Sequence, residues 1–279
     1  MTVAPTASHT TSPPPLETAH RCSPSETKMP GHWLLAKMGK RVLRPGGLQL
    51  THQLLSALDV GPRDDVVEFA PGLGVTARLT LSRNPASYRA VERDQAATAV
   101  VERYLTPPQQ QCIIGTAEDT GLPGESATVV YGEAMLSMQA PTAKARIVAE
   151  AMRLLKPGGR YGIHELCLVP DDVGEDVRQA IERELSDEIH VGVRPLTRLE
   201  WRELLGSAGF DVTHELQAPM HLLEPRRLVQ DEGLFGALRF VWNVARHAPA
   251  RRRVLAMRRL FRNYAEHLAA IAIVCHKHF

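Results

Sequence analysis

One short segment of the chain joins an acid, a tight turn and a helix start in an order that suits ligand binding. It spans residues 66–74 and has the sequence VVEFAPGLG, with apolar residues leading into Glu68. Glycines let the backbone come close to a ligand, and an acid at a strand end can hold a positively charged or hydroxylated group. Ligands of open α/β sheets bind outside the carboxyl ends of the strands. The segment therefore predicts a ligand-binding loop between a strand and a helix.

Two kinds of ligand fit this loop. Gly72, Gly74 and Ala77 satisfy the GxGxxG/A fingerprint of dinucleotide-binding proteins. The next predicted strand ends at Glu92, and an acid there can bond paired ribose hydroxyls. An NAD(P)-dependent oxidoreductase is therefore one hypothesis. A different cofactor is favoured by two later features, which are the sequence GTAE at 115–118 and the helix stop LLKPGGR at 154–160.

Together these features resemble the class I S-adenosylmethionine-dependent methyltransferases, and among them the small-molecule group that includes ubiquinone and menaquinone biosynthesis methyltransferases. The resemblance covers about residues 62–216 and the last strand. In that family the first strand ends in an acid, any residue, and then Gly-x-Gly-x-Gly. The matching positions here are Glu68, Ala70, Gly72 and Gly74, so Ala70 replaces the first glycine.

The resemblance implies S-adenosylmethionine as cofactor and S-adenosylhomocysteine as product. It implies that Glu92 holds the ribose hydroxyls and that Ala117 and Glu118 lie along the adenine edge. Many relatives have an Asp where this chain has Thr116. Glu133, after the fourth strand, would face the methionine end of the cofactor or the methyl acceptor. The full predicted cofactor-binding set is Glu68, Phe69, Ala70, Gly72, Gly74, Glu92, Arg93, Thr116, Ala117, Glu118 and Glu133.

Methyl transfer demands little acid–base chemistry, because a sulfonium methyl group is already a good electrophile. The protein has to hold the acceptor in line with the carbon–sulfur bond. An acceptor that carries a proton needs a general base. The candidate catalytic residues are His164, near the end of the fifth strand, and Glu133. A hydrogen-bonded core histidine is the alternative interpretation of His164. Three further histidines stay open as cleft residues, namely His52, His214 and His221.

Two absences narrow the chemistry further. The Asn/Asp-Pro-Pro-aromatic signature of DNA and amide-nitrogen methyltransferases is replaced by the sequence GEAM at 132–135, which argues against base or glutamine methylation. No cluster of His, Cys and carboxylate residues has metal-ligand spacing, so we expect no metal cofactor.

The rest of the chain alternates strands and helices. Strands are predicted at 66–69, 88–92, 111–114, 128–131, 161–168, 210–216 and 267–275. Helices are predicted at 32–43, 50–58, 74–82, 95–104, 142–155 and 197–208, and the last begins with the capping-box pair Thr197 and Glu200. This rhythm predicts an α/β fold with a Rossmann-like, seven-stranded, mostly parallel sheet and helices on both faces.

The sequence predicts a tail followed by one domain, which carries N-terminal helices and a helical insertion. Residues 1–28 are rich in Thr, Ser, Pro and Ala, so they are predicted to be a disordered tail before a methyltransferase domain at 29–279. N-terminal helices at 29–60 and a helical insertion at 222–264 would form the acceptor pocket, the insertion acting as a substrate lid. Apolar residues at helical spacing mark the insertion's two helices, namely Leu234, Phe235, Leu238, Val241 and Trp242, then Val254, Met257, Phe261 and Tyr264.

Charge and cysteine content limit the partners. A net charge of +2 argues against a nucleic-acid binder. The insertion holds ten arginines against three acids, which indicates a solvated helix face, an acidic acceptor or an anionic membrane surface. Four scattered cysteines and the lack of a signal sequence or apolar span predict a reduced, cytoplasmic protein. A homodimer stays open.

The predicted activity is methylation of a small, hydrophobic molecule. Besides the oxidoreductase, one alternative is a non-catalytic protein that binds S-adenosylmethionine, which the Ala70 and Thr116 departures keep open. A nucleic-acid methyltransferase ranks third, because only the arginine-rich insertion favours it.

Overall fold

The structure is a computed structural model that describes residues 28–278. The predicted tail therefore lies outside the described residues, except for Lys28 at its end.

The described chain forms a mostly parallel sheet, with one antiparallel strand near an edge. Its strands are β1 Asp65–Phe69, β2 Ser87–Glu92, β3 Gln110–Ile114, β4 Ala127–Glu133, β5 Leu155–Leu168, β6 Leu196–Thr197, β7 Phe210–Pro219 and β8 Leu268–Lys277. They lie in the order β3-β2-β1-β4-β5-β8-β7, and the two-residue β6 pairs with β5. Strand β8 runs antiparallel to both of its neighbours. The predicted Rossmann-like sheet is confirmed, with β6 as an addition to its seven strands.

Helices cover the sheet on both faces and extend beyond one end. They are α1 Gly31–Lys37, α2 Gly47–Ala57, α3 Val75–Leu81, α4 Gln95–Glu102, α5 Pro141–Leu154, α6 Glu175–Ile189, α7 Arg198–Ser207, α8 Pro225–Arg246 and α9 Ala248–Asn263. The predicted capping box forms at α7, where Thr197 and Glu200 bond each other's backbone amides. A short 3-10 turn, Leu136–Met138, follows β4.

Three apolar cores hold these layers together. One lies under α5 and α7, where Trp201 and Leu205 pack with Val67 and Ile273. A second lies under α2 on the opposite face of the sheet. The third joins α1, α6, α8 and α9, which we call the helical cap, to the last residues of β5. The cap is therefore packed against the sheet where the ligands of such folds bind.

The N-terminal helix is shorter than predicted. Periodicity suggested a helix over 32–43, but α1 ends at Lys37 and Gly39 has a φ of +104°. Residues 38–46, which we call the strap, then cross to α2 without helical structure. Met38 and Val42 are buried at helical spacing, and this apolar spacing in an extended segment explains the error.

Two more elements differ from expectation. Helix α6 was not predicted, because its sequence is acid-rich and only Ile181 and Leu185 are fully buried. Strand β5 begins at Leu155 rather than near Tyr161, so it includes the Pro-Gly-Gly segment expected to separate helix from strand.

The three described cysteines occupy apolar surroundings. Cys167 and Cys275 are buried and Cys112 is half-buried, while Cys22 lies outside the described residues. Burial raises the pKa of the Cys167 thiol to about 12. These thiols are therefore protonated at neutral pH. No helix within residues 28–278 has both the length and the apolar character needed to cross a bilayer.

Candidate active site at the carboxyl ends of the strands

The loop after β1 turns through left-handed backbone conformations. Ala70, Gly72 and Gly74 have φ values of +51°, +54° and +69°. A Cβ added to Gly72 would meet nothing within 4 Å, so the loop borders open space on this side. Ala70 holds the position of the family's first glycine and pays a local cost of about 1 kcal/mol for its Cβ. Its amide bonds the Val91 carbonyl at 2.9 Å, which ties the loop to β2.

Glu92 lies against this loop at the end of β2. Its side chain is buried, and its carboxylate accepts hydrogen bonds from the amides of Gly72 at 3.1 Å and Asp94 at 3.0 Å. Asp94 in turn caps α4 through the amides of Ala96 and Ala97. The neighbouring Arg93 is exposed. An acid is thus held beside the glycine loop, where the ribose of a nucleotide ligand is expected.

The predicted adenine edge follows β3. Thr116 is exposed and its carbonyl accepts the Asp119 amide at 3.3 Å, whereas Ala117 is buried against the core. Glu118 pairs with Arg146 at 2.5 Å on the surface. Ile114 ends β3 with its side chain 60% exposed.

Glu133, the last residue of β4, is the centre of a buried polar cluster. Its carboxylate accepts hydrogen bonds from the Thr51 hydroxyl and His164 Nδ1, each at 2.7 Å. The Thr76 hydroxyl and the Arg44 guanidinium also bond it. Burial opposes ionisation, but the Arg44 cation and the hydrogen bonds outweigh it and hold the pKa of Glu133 well below its usual range. Glu133 is therefore an anion at neutral pH.

His164 lies opposite Glu133 in the β4–β5 register and is fully buried. Its Nδ1 faces Glu133, and its Nε2 lies 2.6 Å from the Pro45 carbonyl oxygen of the strap. Both nitrogens are thus engaged by oxygen atoms. The predicted general-base role requires one of these contacts to open, and it stays a prediction.

Glu68 is buried between two tyrosines rather than beside a cation. Its Oε2 accepts hydrogen bonds from the hydroxyls of Tyr88 at 2.5 Å and Tyr131 at 2.6 Å. Burial raises the pKa of Glu68 to about 7, although both hydroxyls partly counter the shift. Tyr131 also shares a 2.7 Å hydrogen bond with Thr80 of α3, so this acid links three strands to a helix.

Two acids of α8, Asp231 and Glu232, hold the strap and the start of α2. We call this contact the clamp. Glu232 Oε1 accepts the amides of Arg41 at 2.8 Å and Val42 at 2.9 Å, and Asp231 accepts the Leu48 amide at 2.9 Å. The buried Lys40 ammonium lies 3.7 Å from Asp231 and 3.8 Å from Glu232.

A glycine makes this close approach possible. A Cβ on Gly47 would come within 2.5 Å of an Asp231 carboxylate oxygen, and the residue has a φ of +67°. A larger side chain there would push α8 away from the start of α2.

The structure brings most of the predicted site residues to one edge of the sheet. Glu68, the glycine loop, Glu92 and Glu133 end neighbouring strands there. The three histidines left open are exposed, namely His52, His214 and His221. Three partners of Glu133 were missed, which are Arg44, Thr51 and Thr76. The signals were an arginine just before the Pro-Gly-Gly turn and a threonine two residues after Gly74. No group of three or more potential metal-binding side chains lies together within residues 28–278.

Comparison with known proteins agrees with this geometry. A family model described as a methyltransferase domain matches residues 67–163, from β1 into β5. An uncharacterized protein of Haemophilus influenzae is 32% identical over 249 residues, which cover 88% of this chain and 96% of that protein. The chain therefore carries a methyltransferase domain. This match favours methyl transfer over the oxidoreductase hypothesis.

Solved structures share the fold at low sequence identity. The [4+2]-cyclase SpnF superposes with a TM-score of 0.66 at 16% identity, covering 88% of this chain and 91% of that one. Phosphoethanolamine N-methyltransferase 2 of Haemonchus contortus, in complex with S-adenosylmethionine, gives a TM-score of 0.69 at 14% identity. That match covers 93% of this chain and 59% of the other. At these identities the likeness shows the fold alone.

Proposed function

We propose that this methyltransferase acts on a small, apolar acceptor that binds between the glycine-loop edge of the sheet and the helical cap. The observation that carries this proposal is the pairing of charges along that boundary. Arg44 is neutralised by Glu133, and Lys40 by Asp231 and Glu232. The cap interior behind them is aliphatic, with Met220, Leu222 and Leu228 among its buried residues. An apolar ligand there would therefore not face Arg44 or Lys40 as an unpaired charge.

The cofactor-binding residues that we propose fit S-adenosylmethionine at this edge. The open space beside Gly72 admits a ligand close to the backbone, and Glu92 is placed to accept hydrogen bonds from ribose hydroxyls. Thr116, Ala117 and Glu118 follow the next strand and would border the base. When bound, the cofactor supplies an electrophilic sulfonium methyl group.

The protein's own contribution is positioning and exclusion of water. The strap crosses the site, and Pro45 and Val42 bury apolar surface there. Arg44 carries the strap onto Glu133, while His164 holds the same carboxylate and the Pro45 carbonyl. We propose that His164 acts as a positioning residue which keeps the strap closed during transfer. Water kept from the reacting atoms cannot compete with the acceptor.

A second candidate is a protein that binds the cofactor without transferring its methyl group. Ala70 in a left-handed conformation favours it, because a Cβ stands where the family has none. The same fold in a protein named a [4+2]-cyclase shows that the architecture also occurs with another chemistry.

The test combines calorimetry with a transfer assay. S-adenosylhomocysteine binding is measured first, and transfer of a labelled methyl group is then followed with two acceptor panels, one of apolar phenols and quinols and one of polar amines and amino acids. We expect binding, and transfer to members of the apolar panel only. Transfer confined to the polar panel would overturn the proposed acceptor class. Tight binding without transfer to either panel would favour the second candidate.

A further inference from the structure

Helix α8 exposes the apolar residues by which the sequence marked it as a helix. The helix kinks at Gly233, whose φ of +73° and ψ of 167° are not helical. Beyond the kink Ala237, Phe240 and Val244 pack into the cap. Five large apolar side chains on the other side are more than half exposed, which we call the stripe: Leu234 59%, Phe235 86%, Leu238 57%, Val241 54% and Trp242 60%.

The stripe is continuous along the helix. Its members follow one another at intervals of one, three or four residues, which places them on one side of an α-helix. Leu255 of α9 adds a further exposed apolar side chain at 51%. Contiguous exposed apolar surface of this kind marks an interaction site in a soluble domain.

The charged residues in the stretch of sequence that follows the kink have one sign. Between Gly233 and Ala265 the sequence has eight arginines and no acid. The two acids just before the kink are buried in the clamp, and Glu224 is paired with Arg258. Arg246 stacks over the Trp242 ring at 5.3 Å, and both Arg251 and Arg252 are exposed on the first turn of α9. The surface therefore offers an apolar centre with a cationic border.

We propose that the outer face of α8 and α9 binds the surface of an anionic lipid bilayer. An interfacial helix buries its apolar face at the boundary between headgroups and acyl chains, with its arginines on the acidic headgroups. A tryptophan beside an arginine suits that depth, because each has an apolar body and a polar tip. A second copy of this chain is the less favourable occupant, because two arginine borders would repel each other.

This inference goes beyond the proposed function, because it concerns a surface apart from the cofactor site. The two are nevertheless joined through the chain: the stripe begins two residues after Glu232, which holds the strap. An acceptor dissolved in the bilayer would reach the cap from this side.

Co-sedimentation of the full chain with vesicles tests the proposal. Vesicles of phosphatidylcholine alone are compared with vesicles that contain phosphatidylglycerol. We expect binding to the anionic vesicles, weakened by added salt. The double variant Phe235→Ser/Leu238→Ser should lower the partition coefficient at least about tenfold, since it removes two apolar side chains that the bilayer would bury. Leu199→Ser on α7, where Leu199 is 53% exposed, is the matched control and should bind as the wild type.

Tryptophan fluorescence locates the contact. Trp201 is buried and Trp33 half-buried, so Trp242 is the residue expected to respond to lipid. Its emission should shift to shorter wavelength on the anionic vesicles, and Trp242→Phe should abolish the shift while sedimentation persists.

Three results would overturn the proposal. They are no binding to anionic vesicles, equal binding by the double variant, and a dimer in solution that the double variant dissociates. S-adenosylhomocysteine binding and methyl transfer are measured on the same samples. Failure to bind vesicles with transfer intact would remove this inference and leave the proposed function standing.

Discussion

Two buried acids hold the same strap, one from the sheet and one from the helical cap, and they do so in different ways. Glu133 of β4 takes side-chain donors, among them Arg44 of the strap. Glu232 of α8 takes the backbone amides of Arg41 and Val42 with one oxygen, and only its second oxygen takes a side-chain donor, Arg41 Nε at 3.0 Å. A backbone amide is present whatever the residue type, except proline. The cap therefore sets the path of the strap, whereas the sheet requires a particular side chain at position 44.

The largest expected effect comes from breaking the clamp. Glu232→Ala leaves two amides without their acceptor and removes one of the two carboxylates beside the buried Lys40 ammonium, so we expect the free energy of unfolding to fall by about 3–5 kcal/mol. Glu232→Gln is the matched control: it keeps one carbonyl oxygen for the amides and should lose less than half as much. Urea denaturation of both variants measures this. Equal losses would show that charge, rather than amide bonding, holds the strap.

The dependence of stability on pH distinguishes Glu68, whose pKa is raised, from Glu133, whose pKa is lowered. The pKa of Glu68 is about 7 in the folded protein, against 4.5 ordinarily. The folded state therefore keeps a proton that the unfolded chain has lost between these values, and stability falls as pH rises through this window. The loss amounts to about 3 kcal/mol and levels off above pH 7.

Glu68→Gln supplies the control for that profile, because its amide oxygen can still accept the tyrosine hydroxyls. The wild type should lose stability relative to this variant between pH 4.5 and 7, as followed by urea denaturation at each pH. Parallel profiles would mean that Glu68 titrates normally. Glu133 acts with the opposite sign: its lowered pKa adds stability that is lost only in acid.

Substitution of Arg44 tests whether the contact with Glu133 requires an arginine side chain at this position. Arg44→Ala leaves the Glu133 anion with neutral donors and His164, so we expect a loss of about 2–3 kcal/mol in unfolding free energy. Arg44→Ala/Glu133→Gln should recover part of that loss, since no uncompensated charge remains. Thermal and urea unfolding compare the two variants. Strict additivity of the two single changes would contradict a direct coupling.

The smallest effect is expected in cofactor binding. Glu92→Ala removes an acceptor from the ribose position and frees the Gly72 amide, which should weaken S-adenosylhomocysteine binding by about 1–3 kcal/mol. Calorimetry measures the change. Glu125→Ala, an exposed acid paired with Lys277, is the control and should keep wild-type affinity. Unchanged affinity in a folded Glu92→Ala protein would place the ribose elsewhere.

Much of the sheet could be predicted from sequence because its signals are local. Most of the main strands carry a compact apolar run, and the capping pair at Thr197 and Glu200 marks a helix start by itself. The acids Glu68, Glu92 and Glu133 could be recognised for the same reason, since each is the last or the penultimate residue of its strand.

The strap and α8 could not be predicted this way, because long-range contacts decide their structure. The Arg44–Glu133 pair joins residues 89 apart in sequence, and the Arg41–Glu232 pair joins residues 191 apart. Apolar spacing cannot tell a face turned to the core from one turned to solvent. On α8 the three apolar residues Ala237, Phe240 and Val244 are buried, whereas the five apolar residues of the stripe are exposed.

The kink at Gly233 has a consequence for how this surface can change over evolution. It divides α8 into a first part that carries the clamp and a second part that carries the stripe. Substitutions on the outward side of the second part alter neither the amide bonds to Glu232 nor the packing of Phe240. The outer surface can therefore change without altering the strap and the site beneath it.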